Sequence, residues 1–247
     1  MVFRPAHLLC LWLATPGAAS ACGVFEETAA LRSVGPGGEI GLADGRRARF
    51  AGLALAPEAE AALAEWTGKG LGVARLAPRP DRWGRLMVDL AGPDGRSLAL
   101  DLLERGLARV RPEPETRPCE AERLEAEAAA RAAGEGLWAQ AGAVYAATDA
   151  AALARADGRF VLVTGVVRRV GGARAKVYLD FAGRDGFAVV VAAKAEPQFR
   201  RAGVDLKALA GQRVLVRGVM DVRFGPRIEV ADPAMIQPLE KETGRGG

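Results

Sequence analysis

The sequence predicts an α+β protein, mainly β with helices, that is divided into two domains. Apolar runs of strand length recur through residues 29–110 and 160–230, where Gly, Pro and Asp residues separate them. Helical segments interrupt these runs, and the clearest begins at the N-cap Ser97 and ends at Gly106. The 247 residues are enough for two ordinary domains that each bury a core.

Residues 81–110 organise the first domain. The apolar run at 86–90 has the pattern of a strand, and the Pro-Asp-Gly sequence at 93–95 is a turn. A helix and a second short strand, which reaches Val110, follow it. The apolar face of the helix consists of Leu98, Leu102 and Leu103. We therefore expect this helix to lie on a sheet.

The remaining elements of the first domain follow from the same signals. They are two strands within 29–44, a strand at 46–55, a helix at 58–66, a strand at 71–76 and a helix at 119–133. We predict that this domain covers residues 22–139. A linker is expected at 140–158 and a flexible tail at 240–247.

The second domain, predicted at residues 159–239, has three strands, a helical piece and two further strands. Their predicted bounds are 160–170, 177–181 and 187–193 for the first strands, 199–209 for the helix, and 213–223 and 227–230 for the last strands. Turns are predicted at Gly171-Gly172 and at 184–186. This order of elements is that of an OB-fold.

The N-terminus has the pattern of a secretory signal peptide at residues 1–21. Arg4 supplies a positive charge, residues 8–14 form a short apolar run, and Ala-Ser-Ala at 19–21 is a cleavage site. A membrane span would need about 20 apolar residues, so we expect no transmembrane segment. The sequence predicts an exported protein of the periplasm or cell envelope. The alternative is a buried N-terminal helix, which the Pro-Gly pair at 16–17 would break.

Removal of the signal peptide changes the available chemistry. It takes away His7, the single histidine, together with Cys10. Mechanisms that need an imidazole as base or metal ligand are then excluded for the mature chain. Cys22 and Cys119 remain, and in an oxidising compartment we expect them to form a disulfide. The alternative is a lipid anchor at Cys22.

The charge of the chain is concentrated in its second half. The formal net charge is +4. Residues 159–238 contain 14 Lys and Arg against 7 Asp and Glu, whereas acidic residues slightly outnumber basic ones in 23–158. Such a basic half is typical of proteins that bind a polyanion. The alternative is a basic face that serves solubility and has no specific partner.

Several motifs of the first domain resemble one family when they are taken in order. They are Asp81-Arg82-Trp83-Gly84-Arg85, the Pro93-Asp94-Gly95 turn, the segment from Leu102 to Val110, and Gly136-Leu137-Trp138. This ordered set resembles the thermonuclease (staphylococcal-nuclease-like) family over residues 30–139. Members are small, exported or anchored phosphodiesterases that use Ca²⁺. Because they are built on a five-stranded OB-type barrel with helices, the resemblance implies a nuclease-type OB barrel here.

Three residues match the catalytic positions of that family. Arg85 matches the arginine that ends the family's Asp-x-aromatic-Gly-Arg motif. Arg49 matches an arginine on a strand of the family pattern, and Glu58 matches the glutamate that follows Ala-Pro in that pattern. The resemblance implies that the guanidiniums stabilise phosphoryl oxygens while the glutamate orients or deprotonates water. The alternative is an Arg/Glu ion-pair cluster that supports the barrel. Asp81 is expected to cap the turn that follows it.

The aspartates that hold the metal in this family are missing. Residues 36–39 read Pro-Gly-Gly-Glu where the family has Asp-Gly-Asp-Thr, and residues 54–58 read Ala-Leu-Ala-Pro-Glu, so Leu55 stands where the family has the aspartate before Ala-Pro-Glu. We therefore expect no metal and no cofactor, with Ca²⁺ required only if the nuclease site works. Glu39 or Asp44 could serve as substitute ligands.

Aromatic and cationic residues of the second domain are candidates for binding nucleic acid. Alternation along 177–181 assigns Phe181 to the core and leaves Tyr178 as the stacking candidate, although a partly buried barrel tyrosine is the alternative. The candidate residues are Arg168, Arg169, Lys176, Tyr178, Arg223 and Arg227. Parts of this domain also resemble OB-fold modules of bacterial nucleic-acid-binding proteins.

These observations lead to one hypothesis and two alternatives. The hypothesis is an exported thermonuclease-family protein that binds DNA, RNA or another polyanion without efficient catalysis. One alternative is an active nuclease with rearranged metal ligands, which would make the chain a phosphodiester hydrolase. The other is an envelope module that binds a protein.

Overall fold

The computed structural model of the protein describes residues 22–183 and 186–239. The predicted signal peptide at 1–21, the predicted tail at 240–247 and the first two residues of the predicted turn at 184–186 lie outside the described residues. Within the described part of the chain, every helix is too short or too polar to cross a bilayer. The fold is α+β and mostly strands, as the sequence predicts.

The first domain is built on a closed five-stranded barrel. The strands of this domain are β1 (Glu27–Gly35), β2 (Glu39–Leu42), β3 (Arg47–Phe50), β4 (Leu53–Leu55), β5 (Gly70–Arg75), β6 (Leu86–Ala91) and β7 (Ala108–Val110). The barrel runs β1-β2-β3-β6-β5 and closes on β1, while β4 pairs with β7 outside it. Since β3 and β6 are parallel and the other barrel pairs antiparallel, this is the OB order. The predicted OB barrel is confirmed.

The strand predicted at 46–55 is in fact two strands separated by a turn. Gly52 adopts φ +73°, a conformation that favours glycine. A Cβ atom there would lie 2.7 Å from Thr116 Cγ2 and 2.8 Å from Arg123 Nη1. This turn leads the chain out of the barrel into the β4–β7 pair.

Three helices pack on this barrel: α1 (Ala59–Ala64), α2 (Leu98–Glu104) and α3 (Glu120–Ala133). The predicted start of α2 is confirmed, because Ser97 Oγ accepts a hydrogen bond from the Leu100 N–H at 3.2 Å. The same hydroxyl donates to the buried Asp89 on β6 at 2.7 Å. The helix is therefore fixed to the sheet at its first turn.

The second domain is a sheet with two short helices. Its elements are β8 (Tyr145–Ala146), α4 (Ala150–Ala154), β9 (Phe160–Val166), β10 (Arg169–Ala173), β11 (Lys176–Asp180), β12 (Ala188–Ala192), α5 (Glu196–Arg201), β13 (Arg213–Asp221), β14 (Arg227–Val230) and β15 (Ile236–Pro238). The sheet order is β10-β11-β12-β14-β13-β9-β8, with β15 beside β13. β9 and β10 follow each other along the chain with two residues between them, and they pair with opposite ends of the sheet. If β9 and β10 count as one bent strand, the order repeats that of the first barrel.

The segment predicted as a linker, 140–158, is largely part of the second domain. Tyr145 and Ala146 pair with β9. Ala147, Leu153 and Ala156 are buried in the core of the second domain. An alanine-rich composition therefore accompanies close packing here.

The predicted turn at Gly171-Gly172 is wrong. Both glycines lie inside β10, and the chain turns at Arg174 and Ala175, whose φ angles are +49° and +62°. The pairing of Val170 with Leu179 fixes the register of the hairpin. Because a shift by one residue would move every side chain to the other face, the core decides the position of the turn.

The predicted disulfide between Cys22 and Cys119 is present. The two Cα atoms are 4.6 Å apart, and the bond joins residues 97 positions apart in the sequence. It connects the first described residue to the start of α3. A lipid on Cys22 would need the same sulfur atom, so the two alternatives for this residue exclude each other.

A third apolar cluster joins the two domains. Its buried members are Ala56, Ala130, Leu137 and Trp138 from the first domain, and Leu162 and Leu215 from the second. This cluster is separate from the two domain cores. The domains are therefore in contact through a buried apolar cluster.

Candidate functional site

The first candidate site is a small cleft beside the barrel of the first domain. It encloses about 190 Å³, and its lining includes Arg49, Trp83, Arg85, Arg111 and Glu113. β3 and β6 are parallel neighbours, and Arg49 pairs with Met87. Because Arg85 lies two residues before Met87, the side chains of Arg49 and Arg85 reach the same cleft. The structure therefore brings together the two arginines that the sequence selected.

Both arginines are engaged by carboxylates of the protein. Arg49 binds Glu113 through two parallel hydrogen bonds of 3.1 Å, and its Nε lies 3.4 Å from Asp81 Oδ2. Arg85 donates to Asp81 Oδ2 from Nε at 3.0 Å and from Nη2 at 2.8 Å. The four side chains form one ion-pair network in which each guanidinium already has an anionic partner.

Asp81 is the centre of this network. Its Oδ1 accepts hydrogen bonds from the Trp83 and Arg85 N–H groups, both at 3.0 Å, so it caps the turn as expected. Burial of the carboxyl disfavours its charge, but the hydrogen bonds from Arg85 and Trp83 outweigh this and lower the pKa of Asp81 to about 2. The carboxylate therefore stays ionised at neutral pH.

The structure places Glu58 outside this cleft. It is exposed, lies immediately before α1, and does not line the cleft. Glu113 occupies the position beside Arg49 instead, where it also accepts the Gly52 N–H at 2.9 Å. Glu113 and Arg111 belong to the segment after β7, and no motif in the sequence marks them. The β4–β7 pairing brings them to the cleft.

The donors around this cleft do not fit a Ca²⁺ site. Among residues 22–183 and 186–239, no group of three or more His, Cys, Asp or Glu side chains is placed to hold a metal ion. The two candidate substitutes are both ion-paired, Glu39 to Arg47 at 3.3 Å and Asp44 to Arg46 at 2.7 Å. A hard cation needs several oxygen ligands at once.

The second candidate site is a larger cleft on the second domain. It encloses about 640 Å³. Its lining includes four residues selected from the sequence, Arg168, Arg169, Tyr178 and Arg227. The lining also includes Phe224, whose side chain is 81% exposed. Lys176 and Arg223 lie outside this cleft and line neighbouring ones.

Strand register explains how these residues meet. Tyr178 on β11 faces Gly171 on β10 and Val190 on β12. A Cβ atom at Gly171 would meet nothing within 4 Å, so that side of the tyrosine is open. Phe181 is buried in the core, as the alternation predicts, while Tyr178 is half-buried.

The cations of this surface exceed its carboxylates. Arg169 pairs with Asp180 at 2.9 Å, and Arg223 and Arg227 share Asp221. Hydrogen bonds from Arg223 are the main reason that the pKa of Asp221 lies well below its usual range. Arg168 is exposed and makes no ion pair within the described residues. Among the described residues that line the cleft, three are arginines and one, Asp180, is a carboxylate.

A comparison with protein families finds one match. The sequence model of the family described as "Staphylococcal nuclease homologue" matches residues 52–140. Glu58 and Arg85 lie inside the matched segment, whereas Arg49 and the first barrel strands precede it. None of the curated proteins matches the chain. The family match supports the resemblance to thermonucleases for the first domain.

Proposed function

We propose that this chain is an exported thermonuclease-family protein that binds nucleic acid or another polyanion without efficient catalysis. The observation that carries the proposal is the cleft of the second domain, where Arg168, Arg169 and Arg227 surround Tyr178 and Phe224. Guanidiniums bind phosphates, and aromatic rings bind bases by stacking. Arg169, Tyr178 and Arg227 lie on strands of the second domain, and Arg168 and Phe224 lie in the connections next to them.

The first domain supports the absence of efficient catalysis. Its two family arginines are held by Glu113 and Asp81 rather than left for a phosphoryl group. Its carboxylates form no cluster suited to Ca²⁺ within the described residues. Metal-ion stabilisation is worth several kcal/mol, so its loss lowers a hydrolytic rate by about a thousandfold or more.

Export is part of the proposal. The disulfide between Cys22 and Cys119 supports it, because such bonds persist in oxidising compartments. We place the protein in the periplasm or at the cell envelope.

A working nuclease with rearranged ligands is the second candidate function. One observation favours it: Arg49, Arg85 and Arg111 line one cleft together. Three guanidiniums could stabilise the charge that develops on a phosphoryl group.

Fluorescence anisotropy with labelled single-stranded DNA and RNA tests binding. We expect log Kd to rise with log salt between about 50 and about 200 mM, with a slope of about 2 to 3 for three or four phosphate contacts. The double variant Arg168→Ala/Arg169→Ala should weaken binding about tenfold. The matched control is Arg200→Ala/Arg201→Ala, an exposed adjacent pair on α5 outside the cleft.

Two results would contradict binding through this cleft. Equal losses in the two double variants would show that only total charge matters. Binding that does not respond to salt would favour the envelope module that contacts a protein through apolar surface.

A cleavage assay tests the second candidate function. The purified protein is incubated with single- and double-stranded DNA and RNA in the presence of Ca²⁺ or EDTA. We expect no EDTA-sensitive cleavage. Cleavage that EDTA stops and that Arg85→Ala abolishes would overturn the proposal of inefficient catalysis.

A further inference from the structure

A third cleft lies between the two candidate sites, where the domains meet. It encloses about 410 Å³. The first domain contributes Arg111 and Glu113 to its lining, and the second contributes Phe160, Val219 and Arg223 together with the carboxylates of Asp221 and Glu229. Asp221 is paired with Arg223 and Arg227, and Glu229 is paired with Lys176 at 3.0 Å. We call it the interdomain groove.

The groove is continuous with the cleft of the first domain. Arg111 and Glu113 line both of them. Arg111 is exposed and makes no ion pair among the described residues, while Glu113 is neutralised by Arg49. The positive charge of Arg111 therefore faces the junction between the two clefts.

The groove also adjoins the cleft of the second domain. Asp221 accepts hydrogen bonds from Arg223 in the groove and from Arg227 in the neighbouring cleft. This shared carboxylate places the two guanidiniums next to each other. The three clefts therefore lie next to one another in a row across both domains.

Each of the three clefts contains an aromatic ring with an arginine against it. Arg85 lies 4.9 Å from the centre of the Trp83 ring, Arg111 lies 5.9 Å from that of Phe160, and Arg227 lies 5.0 Å from that of Phe224. Among the aromatic residues that the structure describes, Trp83 and Phe224 are also the most exposed, at 55% and 81%. Repeated pairs of a ring and a cation are how proteins hold the bases and phosphates of a single strand.

The interface holds the three clefts in fixed relation. Arg217 of β13 forms buried hydrogen bonds with Glu127 of α3 and with the Val110 carbonyl, at 2.5 and 3.1 Å. Val110 ends β7, and Arg111 follows it directly. The position of Arg111 relative to the second domain is therefore set by a rigid contact.

We propose that the three clefts form one binding track for a single strand of nucleic acid, which runs from Trp83 through the groove at Arg111 to the cleft of Tyr178 and Phe224. This inference rests on the proposed function and adds its occupant and its path. A strand on this track would contact both domains at once.

The test compares strands of different length on the full mature chain. A strand of about 6 nucleotides can fill the cleft of the second domain, and one of about 20 can span both domains, since a single OB domain covers about 4–16 nucleotides. We expect the longer strand to bind at least about tenfold more tightly. Trp83→Ala and Arg111→Ala should each weaken the binding of the longer strand about five- to hundredfold. The affinity for the shorter strand should stay unchanged.

Two controls separate the track from charge alone. Arg32→Ala removes an exposed arginine of the first domain that lines none of the three clefts, and it should leave both affinities unchanged. An abasic strand of the same length keeps the phosphates but lacks the bases, and it should bind at least about tenfold more weakly.

The outcomes distinguish the track from the proposed function. If short strands bind with salt dependence but Trp83→Ala and Arg111→Ala have no effect on long strands, the track is refuted and polyanion binding stands. If the abasic strand binds as tightly as the intact one, the occupant is a general polyanion and the track for bases is refuted. If no strand binds, both proposals fail.

Discussion

Arg217 Nη1 lies 2.5 Å from Glu127 Oε2, and the two side chains, from different domains, are 1% and 0% exposed. The same carboxylate oxygen accepts the Val110 N–H at 2.9 Å, and Glu127 Oε1 accepts a hydrogen bond from Arg131 at 3.3 Å. The buried carboxylate of Glu127 is thus balanced by two guanidiniums. Loss of Glu127 would leave the buried guanidinium of Arg217 without its ion-pair partner.

This relationship predicts a large effect of one substitution. Glu127→Ala should lower the free energy of unfolding by about 3–5 kcal/mol, because it leaves the buried Arg217 unpaired. Urea unfolding followed by circular dichroism measures it. The double variant Glu127→Met/Arg217→Met, which removes both charges and keeps volume, should recover most of the loss.

A surface pair gives the matched control. Asp101→Ala removes an exposed i,i+4 pair with Arg105 on α2, and it should cost less than about 1 kcal/mol. If Glu127→Ala costs no more than this control, the buried network does not hold the domains together.

Local signals in the sequence predicted elements correctly where neighbouring residues decide the structure. The cap at Ser97 depends on residues three positions away, and the alternation that separates Tyr178 from Phe181 needs a single strand. The strand order of the first barrel followed from a resemblance rather than from any single segment. The cap and the alternation depend on neighbouring residues, and the strand order depends on a family pattern.

Contacts between distant segments could not be predicted in this way. Glu113 reaches Arg49 from 64 positions away, and Arg217 reaches Glu127 from 90 positions away. The i,i+4 spacing predicts the pair of Glu127 with Arg131, which the structure has. Nothing in the local sequence indicates that Glu113 and Glu127 bind these distant arginines, because the pairing of strands and the docking of domains bring them together. The same applies to the hairpin turn at Arg174, whose position the core determines.

The carboxyl of Asp81 gives the protein a defined sensitivity to acid. Its pKa is about 2 in the folded chain, against an ordinary value of 3.8. Folding therefore favours the ionised form, and this contribution is fully present above about pH 4 and is lost as the pH falls towards 2. Asp81→Asn should lower the free energy of unfolding by about 1–2 kcal/mol at neutral pH. Urea unfolding of both proteins between neutral pH and pH 3 measures the difference.

The pH dependence of the stability difference between the two proteins separates an effect of charge from an effect of packing. The gap between the wild type and Asp81→Asn should narrow as the carboxyl is protonated. A gap that stays constant down to pH 3 would assign the loss to altered packing of the turn at Trp83 and Arg85 instead of to charge.

Glu113 competes with any anion for Arg49. Glu113→Gln keeps an acceptor for the Gly52 N–H but removes the charge that neutralises the guanidinium. We expect tighter binding of long single strands and a salt slope that is steeper by about 0.7, which corresponds to one further phosphate contact. Anisotropy titrations at several salt concentrations measure both. Glu104→Gln, an exposed glutamate on α2, is the control for the change in net charge. Equal effects of the two variants would contradict competition at Arg49.

The disulfide should make a large contribution to stability. It closes a loop of 97 positions between Cys22 and Cys119. Cys22→Ser/Cys119→Ser should therefore lower the free energy of unfolding by about 2–4 kcal/mol, since the unfolded chain regains conformational freedom. Thermal unfolding of the wild type with and without a reductant should show the same decrease. If the wild type unfolded at the same temperature with and without the reductant, this contribution would be contradicted.

The hairpin between β10 and β11 turns at two residues with positive φ, and neither is glycine. Ala175 adopts φ +62°, which costs a residue with a Cβ atom about 1 kcal/mol. Ala175→Gly should therefore raise the free energy of unfolding by about 0.5–1 kcal/mol, measured by urea unfolding. Ala173→Gly, two positions earlier inside β10, should lower it instead, because glycine there gains no strain relief and loses more backbone freedom. Destabilisation by both substitutions would refute the strained turn.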